Sequence, residues 1–285
     1  MIYGSADEMH RAMLTEILWR GQKSNARNGK ETLDIDGGWK GTLSNPRRRF
    51  VSCPVRGLRE GYPAASVAYN LARRNDVESI CKFNPMGKKI SDDGVTFYGA
   101  NYGMRMMPAL EEAIHLLKDF DGTRRAWVPI WKESDIMSGY SREGKDVPCT
   151  IGFGLRLWEM GSENSVLSMS VAMRSQSAWG VFPYDLYLFS VLQELIANEL
   201  GAKLGQLHWD CVVSAHVFSE EIPKITEALK SSKQPDTPVD IPIKHTLSEA
   251  VQIYPGVYDA LLRGETVAST SDPVLAQMIM GRPLS

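Results

Sequence analysis

The residues best suited to chemistry lie in three short runs: Asp146-Val147-Pro148-Cys149-Thr150, then Met173-Arg174-Ser175-Gln176-Ser177, then Pro183-Tyr184-Asp185. Cys149 supplies a thiol that, once ionised, attacks an electron-poor carbon and can later depart. Arg174 offers forked donors that match phosphate oxygens. Asp185 carries a carboxyl group able to read the hydrogen-bonding edge of a base. Pro-Cys and Arg-Ser are common pairs on their own, but in this order they point to covalent chemistry on a nucleotide ring. Cys53, Cys81 and Cys211 have no such neighbours, and for them the expectation is a small buried hydrophobe.

Composition limits what those runs can mean. A chain of 285 residues, 43% hydrophobic and 23% charged, is that of an ordinary soluble protein able to bury one large core or two modest ones. A formal net charge of -2 argues against broad electrostatic capture of nucleic acid, whereas a nucleotide monomer needs only a few local cations. The four cysteines are widely spaced, with no Cys-x-x-Cys pair and no paired histidines nearby, so neither a metal site nor a disulfide framework is indicated. A reduced, cytoplasmic setting fits this usage. No apolar run approaches the roughly 18 residues of a membrane span, and the start lacks a signal-peptide layout.

The elements that must position these residues follow from periodicity. Ser5-Ala-Asp-Glu8 reads as a capping box, and Met9, Met13, Leu14, Ile17 and Leu18 recur at helical spacing until Gly21. Arg27 to Lys30 makes a polar turn and Glu31 to Asp36 alternates as a strand, whereas residues 37 to 63 look like loop, with Arg47-Arg48-Arg49 as a solvated face. A helix over Ala64 to Arg73, an irregular connection over Cys81 to Gly99 and a helix over Leu110 to Leu117 follow. Arg125 to Trp131 and Cys149 to Glu159 are strand candidates. In Val166 to Arg174, Leu167, Met169, Val171 and Met173 face one way and Ser168, Ser170, Ala172 and Arg174 the other, which places Arg174 at the end of a polar face. Asp185 to Leu200 reads as a long apolar helix closed by Gly201, with Asp185 also placed to cap it. A strand over Leu207 to Ser214, a helix near Ser219, a linker over Ser231 to Asp240 and small helices at Thr246 to Glu249 and Asp272 to Met280 complete the chain.

Asp146 to Phe218 resembles thymidylate synthase and the related pyrimidine-nucleotide hydroxymethylases, whose pattern is Pro-Cys, Arg-Ser, a base-reading Asn or Asp, then His-x-Tyr. Upstream, Arg27-Asn28-Gly29-Lys30-Glu31-Thr32 resembles the family's phosphate loop, Asn101-Tyr102-Gly103 its catalytic-tyrosine segment, and Arg124-Arg125 its paired arginines. The resemblance implies a thymidylate synthase-like α/β (α+β) fold over residues 1-285, with 231-285 packed on it as an extension. It further implies a mixed sheet that forms the interface of a homodimer, surrounded by helices. Cys149 would be the nucleophile at C6, and Tyr102 would help move protons at C5 and the leaving group. Arg27, Arg174 and Ser175 of one subunit, with Arg124 and Arg125 of its partner, would bind the phosphate; His216 would hold a sugar hydroxyl beside Phe218. Methylenetetrahydrofolate is the implied one-carbon donor.

Asp185 decides the base. Family members acting on uracil carry Asn here, donating to O4 and accepting from N3-H, whereas cytosine offers an N4 amino donor and an N3 acceptor. A carboxyl group meets cytosine, so the resemblance is to the deoxycytidylate hydroxymethylases, with dCMP or CMP as substrate and a 5-hydroxymethyl nucleotide as product. C5 methylation of the same nucleotide, or cytidylate binding without catalysis, are the alternatives. Three departures accompany this reading. The helix expected at Ala64 to Arg73 lacks the family's acid/base Glu, leaving Ser66, Tyr69 or Asn70 to order water. Ser177 stands where the family has a pterin-binding Asp, and Phe218 replaces a tyrosine.

Overall fold

The computed structural model describes residues 1–137, 144–231, 240–281 and 283. Helix α1 (Ala6–Arg20) starts at Ser5, whose hydroxyl accepts from the Glu8 N–H at 3.3 Å, and ends before Gly21 as the spacing predicts. The other helices are α2 (Gly61–Leu71), α3 (Val77–Cys81), α4 (Gly87–Ile90), α5 (Tyr102–Asp119), α6 (Ser134–Met137), α7 (Phe182–Glu199), α8 (Ile222–Lys230), α9 (Leu247–Leu262) and α10 (Pro273–Met280). Strands are β1 (Ile2–Tyr3), β2 (Gln22–Asn25), β3 (Glu31–Asp36), β4 (Trp39–Leu43), β5 (Trp127–Pro129), β6 (Thr150–Trp158), β7 (Val166–Ser177) and β8 (Lys203–Phe218).

These strands form one sheet in the order β1-β4-β8-β7-β6-β5, with β3 also paired to β8 and β2 to β3. β7 runs parallel to β8 and β1 to β4, while the remaining pairs are antiparallel, giving the mixed α/β sheet that the sequence led us to expect. The alternation in β7 holds: Leu167, Met169, Val171 and Met173 are buried, and Ser170 lies exposed on the opposite face. The helix covering the buried face, α7, is apolar nearly all round, which suits an element packed on more than one side. It touches β7 and β8 on one side and α2 and α9 on the other, while α9 and α10 both pack on α2. The expected linker falls mostly in residues 232–239, outside the described residues.

Strand β2 and the short helices α3, α4 and α6 escaped the sequence reading, α5 begins at Tyr102 where the helix was expected from Leu110, and two further features correct it. Strand β4 sits inside the stretch expected to be loop, and Arg47 and Arg49 do not form a solvated face. Both pair with Glu194 of α7, which is 0% exposed: Arg47 Nε lies 2.7 Å from its carboxylate, and Arg49 makes a second, closer contact. Glu194 also accepts from the Ile243 N–H at 3.2 Å, tying the segment before α9 to the core helix. A carboxylate buried in α7 requires cations, and the basic triplet supplies them. Glu194→Gln leaves Arg49 buried without its counter-charge. We expect a loss of about 3 kcal/mol, the scale for breaking a buried ion pair, read as a lower urea midpoint at unchanged slope.

Several of the sheet's pairing irregularities fall along one line. Register shifts occur at Thr150/Gly152 between β6 and β7 and at Met173/Ser175 between β7 and β8, and the next strand is interrupted at Gly37 and Gly38 between β3 and β4. Gly38 has φ +69°, and a Cβ there would fall 1.5 Å from the Cys211 carbonyl oxygen, so only glycine fits the crossing. Bulges re-aim side chains. Cys149, Arg174, Ser175, Ser214 and His216 all lie at or just beyond this line.

Candidate functional site

Cys149 immediately precedes β6 and is half-buried. Arg174, on the neighbouring strand, donates from its backbone N–H to the Cys149 carbonyl at 2.8 Å. Its guanidinium donates to the Pro148 carbonyl (2.9 Å) and the Val147 carbonyl (3.2 Å), approaches the Cys149 Sγ to 3.8 Å, and lies over the Trp131 ring at 5.2 Å. Arg174 therefore shapes the cysteine loop as well as facing it. Burial pushes the Cys149 thiol up, Arg174 opposes this, and Asp185 adds to the rise. Arg174 thus favours the thiolate, but burial wins, so the resting group is the thiol.

Tyr102 is the first residue of α5, and its hydroxyl accepts from the Thr150 N–H at 3.4 Å, one residue beyond Cys149. Burial, then the neighbouring Asp185 and Cys149, raise its pKa, which keeps it a neutral phenol. The Tyr102 segment is fixed by Asp146, whose side chain is almost wholly enclosed and accepts from the N–H groups of Tyr98, Gly99 (2.9 Å) and Ala100 (2.6 Å). A Cβ on Gly99 would come within 1.9 Å of the Asp146 carbonyl oxygen. Asp146, part of the first reactive-looking run, is thus a clamp that sets Tyr102 beside Cys149.

Asp185 lies in the first turn of α7, and its side chain does not cap the helix, whose N-cap is Val181. Its Oδ2 accepts from Gln176 Nε2 at 3.0 Å, across from β7. Gln176 is 1% exposed, and its Oε1 has no partner among the described residues. Burial pushes the Asp185 carboxyl up to about 7, with Gln176 pulling the other way. A carboxyl poised at neutrality beside a thiol is the arrangement expected of a working site.

Helix α2 carries no carboxylate on the stretch where one was sought, and two of the three suggested substitutes are otherwise engaged. Asn70 donates to the Ser66 carbonyl and accepts from the Gly103 N–H, both at 2.8 Å, and Tyr69 donates to the Asp76 carbonyl at 3.1 Å. Ser66 remains. One turn earlier, Tyr62 packs edge-on against Tyr184 at 4.8 Å, next to Asp185. Ser177 accepts from the Gly180 N–H at 3.3 Å, and Glu221 Oε1 lies near the same glycine.

At the far end of β7 and β8, Ser175 Oγ is 3.5 Å from His216 Nδ1, and Ser214 Oγ is 3.3 Å from the same nitrogen. Ser214 in turn donates to Asp34 of β3 at 2.9 Å to each oxygen. Phe218 meets the His216 ring edge-on at 5.7 Å, and Lys30 Nζ stands 5.6 Å over the Phe218 ring. Arg27 is exposed in the β2–β3 turn, where Gly29 adopts φ +78°. Arg124 and Arg125 are exposed before β5, and neither forms a side-chain ion pair among the described residues. The fold thus gathers Cys149, Tyr102, Arg174 and Asp185 at one end of this site and Ser175, His216 and Phe218 at the other. Arg124 and Arg125 are not joined to this cluster by any such contact. Sequence reasoning missed Trp131, Gln176, Asp34 and Ser214, of which only Ser214 carried a signal, its two-residue spacing from His216.

The sequence model of the thymidylate synthase family matches residues 86–255, more than half of the chain. The chain belongs to the thymidylate synthase family. Among curated relatives, the deoxyuridylate hydroxymethyltransferase of Pseudomonas phage M6 is 29% identical over 235 residues, covering 80% of this chain and 64% of the relative. The corresponding protein of Delftia phage PhiW-14 is 28% identical over 233 residues, covering 78% and 63%. The thymidylate synthase of Bacillus licheniformis is 24% identical over 253 residues, covering 79% and 83%. The chain therefore spans just under two thirds of the length of the two phage relatives. Those relatives are named for deoxyuridylate, not for the deoxycytidylate that Asp185 led the sequence reading to expect.

Proposed function

We propose that this thymidylate synthase family member transfers a one-carbon unit to C5 of a cytidine monophosphate, dCMP or CMP, leaving a hydroxymethyl group. The observation that carries the base assignment is Asp185, a half-buried carboxyl pushed up to about 7 that interacts electrostatically with Cys149 and Tyr102. Protonated, it donates to N3 and accepts from the N4 amino group; ionised, it accepts from both N4-H and a protonated N3. Ionised, it has no donor to offer a C4 carbonyl.

In this reading the Cys149 sulfur bonds to C6, which makes C5 nucleophilic, and the C5 proton leaves after the new carbon–carbon bond has formed. Tyr102 holds the proton-carrying end of that step, and Arg174 positions the cysteine loop and faces the phosphate with Ser175 and Arg27. Water would complete the hydroxymethyl group by adding to the transferred carbon once the donor nitrogen has departed from it, and re-formation of the C5–C6 double bond would expel the Cys149 sulfur. Methylenetetrahydrofolate supplies, when bound, a carbon at the oxidation level of formaldehyde. The residues present fit its pterin in altered form: Ser177 offers a hydroxyl where the resemblance led us to look for a carboxylate, Glu221 brings a carboxyl close to Gly180, and Tyr62 and Tyr184 provide aromatic surface. The outer sheet face, with Ser170, Val212, Val213 and Trp158 exposed, is the surface we assign to a second copy, which would bring Arg124 and Arg125 to its neighbour's phosphate. A monomer by sedimentation at catalytic concentration would rule out that sharing.

The relatives named for deoxyuridylate favour a second reading in which uridylate is the substrate. Incubating the protein and methylenetetrahydrofolate with dCMP, CMP, dUMP and UMP separates the two. We expect the cytidylates to gain the mass of CH2O. Gain only on the uridylates would overturn the base assignment, and gain of CH2 would make the enzyme a methylase. Binding with no release of a tritium label from C5 would leave a nucleotide-binding protein without catalysis.

A further inference from the structure

Strand pairing alone brings four polar side chains to one patch of the sheet. Asp34 of β3 is the cross-strand partner of His216, Ser214 lies two residues before His216 on the same face of β8, and Ser175 of β7 pairs with Ser214. Within this patch the direction of each hydrogen bond can be assigned. The Ser214 hydroxyl proton is shared between the two Asp34 oxygens at 2.9 Å each, since a carboxylate can only accept. Ser214 Oγ therefore presents a lone pair to His216 Nδ1 at 3.3 Å, Ser175 Oγ lies farther from the same nitrogen at 3.5 Å, and the shorter contact assigns the proton to Nδ1. Nε2 is left bare.

We propose that Asp34 and Ser214 are positioning residues that hold His216 in the Nδ1-H tautomer, so that Nε2 is a dedicated acceptor for a pentose hydroxyl of the nucleotide. The inference rests on the reading of His216 as the sugar-binding residue, and it deepens that reading by fixing which partner donates. Burial, opposed by Asp34 and reinforced by Arg174, lowers the His216 pKa and so keeps the ring neutral, as an acceptor must be. Phe218 adds no hydroxyl to this end of the site, so a single well-oriented acceptor has to suffice. The relay gives a role to a half-buried serine and aspartate on the sheet face opposite the core residues Ile35, Ala215 and Val217.

Long-range proton–nitrogen NMR correlations of the imidazole distinguish a bare ring nitrogen from a protonated one, with His216→Asn identifying the signal. We expect a bare Nε2 in the wild type, a mixed or reversed tautomer in Ser214→Ala and Asp34→Ala, and the wild-type pattern restored in Ser214→Thr, which keeps the hydroxyl. In titrations, the wild type should prefer dCMP to its 2',3'-dideoxy analogue by roughly tenfold, the scale of one hydrogen bond net of solvation. Ser214→Ala should bring that ratio close to one while leaving the affinity for the dideoxy compound unchanged. The dUMP pair, run alongside, makes the result independent of base choice. A protonated Nε2 in the wild type, or a Ser214→Ala protein that weakens both nucleotides equally, overturns the relay. If no nucleotide binds at all, the sugar-site reading fails, and the tautomer still decides whether the relay exists.

Discussion

Cys149→Ser will release tritium from C5 of the substrate about 10⁴-fold more slowly than the wild type, or not measurably, on the scale seen when a covalent nucleophile is removed. The argument does not need a preformed thiolate. Burial keeps the resting thiol protonated, and Arg174, 3.8 Å away, opposes this. Sulfur is polarisable and reaches its thiolate at an accessible cost, whereas a serine hydroxyl is far less acidic and reaches its alkoxide only at a much higher one. Because Arg174, Ser175 and His216 are untouched, nucleotide affinity should stay within about threefold, well under the 1.4 kcal/mol that marks a tenfold change. Label exchange at even a tenth of the wild-type rate would remove Cys149 from the chemistry.

Periodicity made the core visible. The β7 alternation, the largely apolar run of α7 and the cap at Ser5 are local signals, and the structure realises each of them. What stayed hidden depends on partners remote in sequence. Trp39–Leu43 alternates, but over only five residues amid Gly, Pro and Arg, so nothing local sets it apart from loop. Arg47 and Arg49 look solvated until α7 presents Glu194 to them, a contact between residues some 145 positions apart.

The site divides in the same way. Cys149, Arg174, Ser175, Asp185 and His216 were legible because ordered motifs carry them, but motifs give no direction to side chains. Asp146 looked reactive by its neighbours, and three backbone N–H groups show it to be a clamp. Gln176 looked like spacing. The register shift at Met173/Ser175 reverses the inward-facing parity of β7, so Gln176 follows Met173 into the core and meets Asp185. No single-strand pattern announces that reversal, because the bulge is defined against β8.

Asp185→Asn tests the base assignment most directly. An amide cannot shift a proton between its two heavy atoms, so it must present a donor to one position of the pyrimidine edge and an acceptor to the other. To receive uracil, Asn must turn its NH2 towards O4, and Gln176 must then offer Oε1 in place of Nε2. The flip exchanges the native Gln176 Nε2–Asp185 bond for one in which Gln176 Oε1 accepts from the new amide, so the turned pair keeps one hydrogen bond between the two side chains. We expect the ratio of kcat/KM values for dUMP over dCMP to rise on the order of 10³-fold, below the largest discriminations seen where a buried polar contact is mismatched. An unchanged preference would sink the assignment of Asp185 as base reader. The same substitution has a stability signature whose sign follows from linkage. The folded carboxyl is pushed up to about 7 from its ordinary 3.8, so the folded state favours its protonated form, and ionisation above the lower value works against folding. The wild type therefore loses stability as pH rises from about 4 towards 7, a loss that Asn cannot suffer. At pH 8 Asp185→Asn should be the more stable protein by on the order of 2 kcal/mol, less than the full displacement because the side chain is not wholly sealed from solvent. Near pH 4 the advantage should vanish, and melting curves of the two proteins across that range would show it.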